Sequence, residues 1–315
     1  MASTTGRIFS ILKQRRDEVV SGEIVSAALG ISRVAVWKQV KKLQTMGCRI
    51  QAGPGGYRLL AETDHPFPWA FPQREDRIHY FSTLPSTMEK ARDMARKGCD
   101  AYSVVLAEAQ TSGRGRLERT WQSPAGGLYF TMVLRPPVPL LLSARVTFAA
   151  ALVLAQTLRA VFNIDARLKW PNDVLVNDRK LSGMLSELEA ESDRVRFINI
   201  GIGINVNNDP PAEVPAATSI RALTGKNASR RAFLAAYLDA LENRLENGGL
   251  KNVMQDWKSL TVTLGRPVTI RTTRRTIRGK AVDVDDNGAL ILQKKDGSRE
   301  KIVYGDCFHD LPGER

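Results

Sequence analysis

Hydrophobic residues recur at helical spacing near the beginning of the chain. Ile8, Ile11 and Leu12 share one face of a first predicted helix. The stretch GEIVSAALG follows as a second helix, and Gly30 after it supplies the left-handed residue that a tight turn between helices requires. The residues that this second helix is expected to bury are Ile24, Ala28 and Leu29.

A third helix is predicted to begin after Ser32, whose hydroxyl would cap it, and to end at Gly47. Val36, Val40 and Leu43 form its apolar face. The opposite face is mostly cationic and consists of Arg33, Trp37, Lys38, Lys41 and Lys42. The following CRIQAGPGGYRLL predicts two short strands around a Pro-Gly-Gly turn, which together with the helices is typical of a winged helix-turn-helix.

Two interpretations of the cationic face stay open. Helix pairs around a glycine are common, and the lysines could form an ordinary solvated surface. The combination of turn glycine, capping serine, basic helix and wing favours DNA binding, in which this helix enters the major groove and its lysines neutralise phosphates. The DNA-binding candidates are Ser32, Arg33, Trp37, Lys38 and Lys41.

The pattern changes after this N-terminal region. Residues 61–76, AETDHPFPWAFPQRED, are rich in proline and polar residues and are predicted to be a linker. Strands are predicted at 102–108 and 127–136, a long apolar helix at 140–162, and a hairpin with its bend in LVNDRKL. From residue 266 onward, short strands alternate with turns such as DDNG and KDG, which predicts a small β-barrel.

These elements predict an α+β protein of three domains. A winged helix-turn-helix occupies 1–62, a central domain with helices on a mixed sheet occupies 63–265, and the β-rich domain occupies 266–315. The apolar stretch 140–162 is interrupted by charged and polar side chains, so we expect a buried helix and no membrane span. The N-terminus lacks the pattern of a signal peptide.

Charge and cysteine content narrow the classes of partner. The formal net charge of +13 favours anionic partners such as nucleic acid or phosphorylated ligands. Three scattered cysteines without a CxxC pair exclude a disulfide framework and a cysteine zinc site, and they indicate a reducing cytoplasm. The three histidines show no metal-ligand spacing and receive no role; they are His65, His79 and His309.

Residues 111–127, TSGRGRLERTWQSPAGG, place four glycines and three arginines directly after a predicted strand. Backbone amides and guanidinium groups on such a flexible segment could wrap a bound anion. The segment fits neither a P-loop nor the dinucleotide-binding glycine pattern. A mobile basic surface loop is the alternative on these residues alone.

A second cluster, KWPND followed by DRK, supplies Lys169, Asn172, Asp173 and Lys180. A carboxylate close to lysines suits magnesium-assisted nucleotide chemistry, because the acid holds the metal and a lysine draws charge from the phosphates. Alternatively, Asp173 caps a turn and Lys180 is solvated. Further along, the strand RFINIGIGINVNND contains small residues that would let a ligand approach its backbone.

The motifs YFSTLPST, AEAQTSGRGR with its following W.SP, KWPNDVLVNDRKLSGMLSE and INIGIGINVN resemble those of biotin protein ligases, in the same order and spacing. With the N-terminal winged helix, the chain resembles the bifunctional bacterial form, which also represses the biotin operon. The resemblance implies a central domain like that of class II synthetases and an SH3-like C-terminal barrel. It covers nearly the whole chain.

The resemblance implies an activity and its partners. Such ligases join biotin to ATP, giving biotinyl-5′-adenylate, and transfer biotin to a lysine of the biotin carboxyl carrier protein of acetyl-CoA carboxylase. Biotin, ATP and Mg²⁺ are therefore the expected ligands. Operator DNA and a ligand-promoted homodimer are the other expected partners.

By the same resemblance, Lys180 and Arg116 are the catalytic candidates, and Asp173 is the candidate metal ligand. Ser86, Thr87 and Gln110 would hold the biotin head group by hydrogen bonds. The full biotin and adenylate set is Ser86, Thr87, Met88, Gln110, Gly113, Arg114, Gly115, Arg116, Trp121, Asn172, Lys180, Gly203 and Asn205, with Gly201 also near the ligand. Trp121 is expected to pack against the ordered loop.

The chain departs from the family pattern in two places. The family loop continues Gly-Arg-Gly-Arg-Arg-Gly-Arg, whereas Leu117 and Glu118 stand at its fifth and sixth positions, which removes a cation and a glycine and adds an anion. After Ser86 and Thr87 the family has Asn or Gln, and this chain has Met88. Alternatives that stay open are a monofunctional ligase with a vestigial DNA-binding domain and a ligand-sensing regulator without transfer activity.

Overall fold

The computed structural model describes residues 3–117, 119–136, 139–192, 194–210 and 216–309, so the departure at Glu118 lies outside the described residues. Contacts divide the chain into two compact units. The first comprises Met1–Tyr80 with Ser229–Ala235, and the second comprises Phe81–Ala228 with Ala236–Arg315. The proposed limits of the three domains stay a prediction.

The first unit contains the predicted helices and wing. Serine hydroxyls cap all three helices, as Ser32 does by accepting from the amide of Ala35, because serine satisfies an N–H group that the first turn leaves unpaired. The elements are α1 (Thr4–Gln14), α2 (Gly22–Leu29), α3 (Arg33–Thr45), β1 (Arg49–Gly53) and β2 (Gly56–Ala61). Val36, Val40 and Leu43 are buried, and Gly30 adopts the left-handed conformation.

The predicted inward face of α2 is wrong. Val25 is fully buried, whereas Ile24 is 46% exposed, Ala28 is exposed and Leu29 is only partly buried. The cap at Ser21 fixes where this eight-residue helix begins, and in that phase Val25 faces the core. So short a window of apolar residues does not determine the helix phase.

Residues 61–76, predicted to be a linker, pack into the core of the first unit. Phe67 and Trp69 are buried, and the ring centroid of Trp69 lies 4.4 Å from that of Phe9. The beginning of α7 belongs to the same unit, where Arg230 Nε lies 2.6 Å from Asp64 Oδ2. The aromatic residues among the prolines therefore outweigh the polar composition on which the linker prediction rests.

A seven-stranded sheet of order β3-β4-β5-β9-β8-β7-β6 belongs to the second unit, apart from residues 78–80 of β3, and its pairs from β4 to β6 are antiparallel. Its strands are β3 (Ile78–Leu84), β4 (Ser103–Gln110), β5 (Leu128–Leu134), β6 (Arg167–Lys169), β7 (Asp173–Val176), β8 (Arg179–Glu191) and β9 (Arg194–Ile204). The helices that follow α3 are α4 (Thr87–Arg96), α5 (Ser143–Phe162), α6 (Ile220–Thr224), α7 (Arg230–Asn243) and α8 (Val253–Leu260).

The long apolar helix α5 is a core helix, as predicted. It is long and apolar enough to cross a membrane by composition, but 61% of its apolar window is buried inside the protein. Tyr237 donates its hydroxyl to the carbonyl of Ala150 on this helix, and the ring of Phe148 meets that of Trp257 at 5.1 Å. Its apolar surface is therefore used for packing within the unit.

The C-terminal strands form a separate antiparallel sheet of order β13-β12-β11-β10-β14 in the same unit. The strands are β10 (Pro267–Arg271), β11 (Thr276–Val284), β12 (Leu290–Gln293), β13 (Arg299–Ile302) and β14 (Asp306–His309). Trp170, at the end of β6, donates its indole N–H to the carbonyl of Gly288, so the two sheets are joined by a buried hydrogen bond.

Candidate functional site

A cavity of about 490 Å³ lies on the second unit, and both sheets contribute to its wall. It brings together most of the residues that the sequence analysis selected. Those that line it are Ser86, Thr87, Met88, Gln110, Arg114, Gly115, Arg116, Trp121, Lys169, Asn172, Asp173, Lys180, Gly201, Gly203 and Asn205. Gly113 does not line it.

Gly113 has a packing role beside the cavity. A Cβ atom at this position would lie 2.3 Å from the carbonyl oxygen of Trp121 and 2.8 Å from Ser123 Oγ. The Gly113 carbonyl accepts from the amide of Trp121 at 2.9 Å. Only glycine therefore allows the two limbs of the loop to cross this closely.

One end of the cavity carries a directed chain of hydroxyl and amide groups. Thr131 Oγ1 donates to Thr87 Oγ1 at 2.9 Å, and the amide and hydroxyl of Thr87 both donate to Gln110 Oε1. The neighbouring Ser86 is 2% exposed, and its Oγ has no hydrogen-bond partner. Since an unpaired buried hydroxyl is costly, Ser86 is suited to a polar ligand group.

Met88 lies beside these polar groups, where the family has an amide side chain. It is 3% exposed, and its Cε lies 2.8 Å from where a Cβ of Gly201 would be. The absence of a side chain at Gly201 thus makes room for the thioether. Met88 supplies an apolar wall at this end of the cavity.

The middle of the cavity is covered by the indole of Trp121. Ring atoms of Trp121 lie 2.4 Å from the Cβ position of Gly203 and 3.1 Å from that of Gly183. The ring thus lies against the backbone of β8 and β9, which explains the small residues there, while its buried Nε1 has no partner. The side chain of Trp121 covers the sheet, and its expected packing against the loop stays a prediction.

Lys180 lies over the same part of the sheet. Its Nζ is 2.7 Å from Asp173 Oδ1 and 5.4 Å from the centroid of the Trp121 ring. Its backbone is also fixed, because its amide donates to the carbonyl of Ala216 and its carbonyl accepts from Thr218. The ammonium group is therefore held at one place on the cavity wall.

Arg116 reaches the cavity from the glycine-arginine loop. Its Nη1 donates to Asn172 Oδ1 at 3.3 Å and lies 3.9 Å from Asp306 Oδ1. Burial lowers the pKa of this guanidinium, while the nearby carboxylates of Asp306 and Asp173 raise it. Arginine stays protonated in proteins, so a partly buried cation faces the cavity.

The sequence analysis missed the contribution of β14. Asp306 Oδ2 lies 2.6 Å from Arg119 Nη2, and the ring of Phe308 packs between the guanidinium groups of Arg119 and Arg271, at 5.6 and 4.8 Å. Asp306, Cys307 and Phe308 all line the cavity. No local pattern indicates this contact, because almost two hundred residues separate β14 from the loop.

Asn205 is buried and bound within the protein. Its Nδ2 donates to the carbonyl of Thr218, and its Oδ1 accepts from Asn208. This side chain therefore holds the segment after β9 in place, and Asn205 lines the cavity without an unpaired amide.

The carboxylates at the cavity are already paired with cations. Asp173 meets Lys180, and Asp306 meets Arg119. Among the described residues, no group of three or more His, Cys, Asp or Glu side chains could hold a metal ion. Magnesium keeps several waters and is usually bound through one or two carboxylates together with substrate phosphates, so Asp173 fits a metal that arrives with a nucleotide.

The DNA-binding candidates lie on the exposed face of α3. Arg33, Lys38 and Lys41 are exposed, and Trp37 is 50% exposed. Ser32 caps the helix. A cleft between α3 and the wing is bordered by Arg33, Trp37 and residues 53–57 of the turn and wing. Cationic and aromatic side chains thus face solvent next to the wing, as an element that enters a DNA groove requires.

Three family models match the chain. The HTH domain matches residues 6–58, the biotin/lipoate A/B protein ligase family matches 80–205, and the biotin protein ligase C-terminal domain matches 263–310. These ranges follow the order in which the winged helix, the central sheet and the C-terminal sheet occur.

Characterised proteins are similar over most of their length. The bifunctional ligase/repressor BirA of Bacillus subtilis is 35% identical over 95% of this chain and 96% of its own. The biotin–[acetyl-CoA-carboxylase] ligase of Paracoccus denitrificans is 36% identical over 71% of this chain and 96% of its own. The Aquifex aeolicus biotin protein ligase in complex with biotin and ATP is 28% identical, with a TM-score of 0.64 over 74% of this chain and 99% of that one.

Proposed function

Because the chain belongs to the biotin/lipoate A/B protein ligase family and has the domain content of its bifunctional ligase/repressors, we propose that it biotinylates a carrier protein and represses transcription. The ligase activity converts biotin and ATP to biotinyl-5′-adenylate. The repressor activity depends on DNA binding by α3 and the wing. A cytoplasmic location accords with the scattered cysteines.

One observation carries the ligase assignment. The cavity has unpaired polar groups on Ser86 and Trp121 at its inner part and the fixed cations Lys180 and Arg116 further along. A small acid with a polar head group fits the first, and the phosphates of a nucleotide fit the second. Biotin and ATP together have this distribution of polar groups and negative charge.

At the polar end, Ser86 and Gln110 bind the ureido group of biotin. Gln110 Oε1 accepts from Thr87, and one Nε2 hydrogen is donated to Ser123. The second Nε2 hydrogen is therefore available to a carbonyl oxygen of the ligand. Ser86 Oγ both donates and accepts. Met88 provides apolar contact to the ring system in place of the amide that the family has.

Adenylate formation brings two anions together. A carboxylate oxygen of biotin attacks the α-phosphorus of ATP, a P–O bond to the β-phosphate breaks, and pyrophosphate leaves. Lys180 and Arg116 offset the repulsion between carboxylate and phosphate and stabilise charge in the transition state. When bound with ATP, magnesium supplies further charge compensation, and Asp173 with the phosphates would hold it.

Transfer completes the reaction. The ε-amino group of a carrier lysine attacks the acyl carbon of the adenylate, an amide forms, AMP leaves, and the amine loses a proton to solvent. The cover formed by Trp121, Arg114, Gly115, Arg116 and Arg119 limits access of water to the reactive anhydride. The biotin carboxyl carrier protein of acetyl-CoA carboxylase is the proposed acceptor.

The repressor function requires a ligand-promoted homodimer, since a two-fold operator is bound by paired winged helices. Lys38 and Lys41 contact phosphates, and Arg33 and Trp37 reach the groove. Biotin plus ATP is expected to increase operator affinity.

One assay separates this proposal from its rivals. The purified chain is incubated with ATP, Mg²⁺, biotin and a biotin carboxyl carrier domain, and biotinylated carrier is expected. Adenylate without labelled carrier would favour a ligand-sensing regulator. No adenylate at all would overturn the ligase assignment. Operator affinity that does not respond to biotin and ATP would favour a monofunctional ligase with a vestigial DNA-binding domain.

A further inference from the structure

Five cationic side chains border the cavity. One of them, Lys169, makes no side-chain hydrogen bond or ion pair with any residue that the structure describes. The others are already paired: Arg114 with Glu89, Arg116 with Asn172 and Asp306, Arg119 with Asp306, and Lys180 with Asp173. An ammonium group without an anion beside a ligand cavity is suited to an anion that arrives with the ligand.

The strand register places Lys169 on the face that carries the site. Lys169 is directly opposite Asp173, Asp173 is opposite Gly183, and Gly183 is opposite Gly203. Directly opposed residues of antiparallel strands project from the same face of a sheet. Trp121 covers the two glycines of this row, so Lys169 extends the same row to the edge strand β6.

The row has a direction. The polar head-group end involves Ser86 and Thr131 near the middle strands, and Lys180 lies over Gly183. Lys169 lies two strands beyond Gly183, which is roughly 10 Å at ordinary strand spacing. The cations Lys180 and Lys169 therefore follow one another outward from the head-group end.

The in-line geometry of displacement determines which phosphate of ATP lies near Lys180 and which lies near Lys169. The attacking and leaving oxygens lie roughly opposite one another across the α-phosphorus. Biotin's carboxylate approaches from the head-group end, so pyrophosphate departs toward the sheet edge. In this step a C–O–P bond forms at the carboxylate oxygen, the α-P–O bond to the β-phosphate breaks with its electron pair going to pyrophosphate, and no proton is transferred.

We propose that Lys169 is a further catalytic residue, which binds the β- and γ-phosphates of ATP and stabilises pyrophosphate as it leaves. This assignment rests on the proposed ligase function. It divides the charges between the two partial reactions: Lys180 and Arg116 serve the carboxylate and α-phosphate, and Lys169 serves only the departing group. Lys169 therefore has no role in transfer to the carrier.

The test compares Lys169→Gln with Arg167→Gln. Arg167 lies two residues earlier on β6, and its substitution by Gln removes the same positive charge. Its Nε is paired with Asp165 Oδ2 at 2.9 Å, and it does not line the cavity. Inorganic pyrophosphate is titrated into the full-length chain carrying preformed biotinyl-adenylate, and ATP synthesis is measured. Adenylate formation, biotin affinity and transfer to carrier are measured separately.

For Lys169→Gln, the pyrophosphate concentration for half-maximal reversal is expected to rise roughly tenfold to a hundredfold, and adenylate formation to slow by a similar factor. Biotin affinity and transfer should be unchanged, which also shows that the variant is folded. Lys169→Arg should restore part of the rate, and Arg167→Gln should behave as wild type.

Two results would overturn the inference: wild-type pyrophosphate dependence in Lys169→Gln, or an equal defect in Arg167→Gln, which would indicate a general effect of surface charge. Failure of the wild-type chain to form adenylate is a different outcome, because it would remove the ligase function itself. The wild-type reaction therefore separates failure of the proposed function from failure of the role of Lys169.

Discussion

The side-chain amide of Gln110 donates to Ser123 Oγ at 2.8 Å, and Ser123 in turn donates to the carbonyl of Trp121. Gln110 thereby links the head-group end of the cavity to the returning limb of the loop. Ser123→Ala leaves the Gln110 amide without its acceptor, so we expect biotin affinity to fall roughly tenfold, the usual scale for a hydrogen bond lost in a buried polar network.

Isothermal titration with biotin alone measures this effect. Ser182→Ala is the matched control, because Ser182 is also buried and donates to a carbonyl, that of Gly203, but makes no hydrogen bond to Gln110. Equal losses in both variants would mean that the effect is one of general packing.

Lys180→Ala should slow adenylate formation by roughly a hundredfold to a thousandfold, because a fixed cation next to the reacting phosphate is removed. The variant also leaves Asp173 without the partner that lies 2.7 Å away. Rapid-quench measurement of adenylate, with biotin affinity measured in parallel, distinguishes the chemical step from binding. A variant with the wild-type rate would remove Lys180 from the reaction.

Asp306→Asn should loosen the loop, since its carboxylate holds Arg119 at 2.6 Å. In the presence of biotin and ATP, we expect trypsin to cut after Arg119 several times faster than in wild type. Asp283→Asn is the control, because Asp283 is in the same sheet and is paired with Lys258 outside the cavity. Equal resistance to trypsin in Asp306→Asn and wild type would show that the Asp306–Arg119 pair does not hold the loop.

Lys38→Ala and Lys41→Ala should weaken operator binding and reduce the slope of log affinity against log salt by about one unit each, as expected for lost phosphate contacts. Lys13→Ala is the control, because it removes the same charge from the first unit. The ammonium group of Lys13 lies 3.2 Å from Glu62 Oε2. Fluorescence anisotropy at several salt concentrations measures both quantities, and an unchanged slope would exclude these lysines.

Asp285 should make the stability of the C-terminal sheet depend on pH in the acidic range. Burial raises the pKa of its carboxyl, but Lys301 and the amides of Ala289 and Asn287 together lower it below its ordinary value. The folded form therefore gains stability above the unfolded pKa of about 4, and that gain is lost as pH falls through the lower folded pKa.

Asp285→Asn is expected to cost about 1 kcal/mol at pH 7 and progressively less below about pH 4. Urea unfolding at several pH values measures the difference. Asp286→Asn serves as the control, because the Asp286 carboxylate makes no hydrogen bond among the described residues. A constant difference between Asp285→Asn and wild type at all pH values would show that the carboxylate charge does not matter.

Patterns that depend on neighbouring residues were predicted well. The cap at Ser32, the left-handed Gly30 and the core face of α3 follow from local chemistry, and the structure confirms each of them. The inward face of α2 was wrong because its apolar residues are few and helix phase depends on the packing of α1 and α3. The residues 61–76 were misjudged because composition does not show which aromatic residues find a core.

The site was predictable as far as its motifs extend. Thirteen of the fourteen biotin, adenylate and metal candidates line the cavity, all but Gly113, and Gly201 lines it as well. Thr131 and Ser123 act through hydrogen bonds to Thr87 and Gln110, and no sequence pattern specifies such partners. Asp306 and Phe308 come from a different sheet, so only the assembled fold brings them to the loop.

All residues that line the cavity belong to the second compact unit. A ligand that binds only the folded state raises the unfolding free energy by RT ln(1 + [L]/Kd), which is about 2.7 kcal/mol at a hundred times Kd. Calorimetry should therefore show that the melting temperature of the second unit rises with ligand concentration. The melting temperature of the first unit should not respond directly to the ligand. Heat alone then serves as a label-free titration of the cavity.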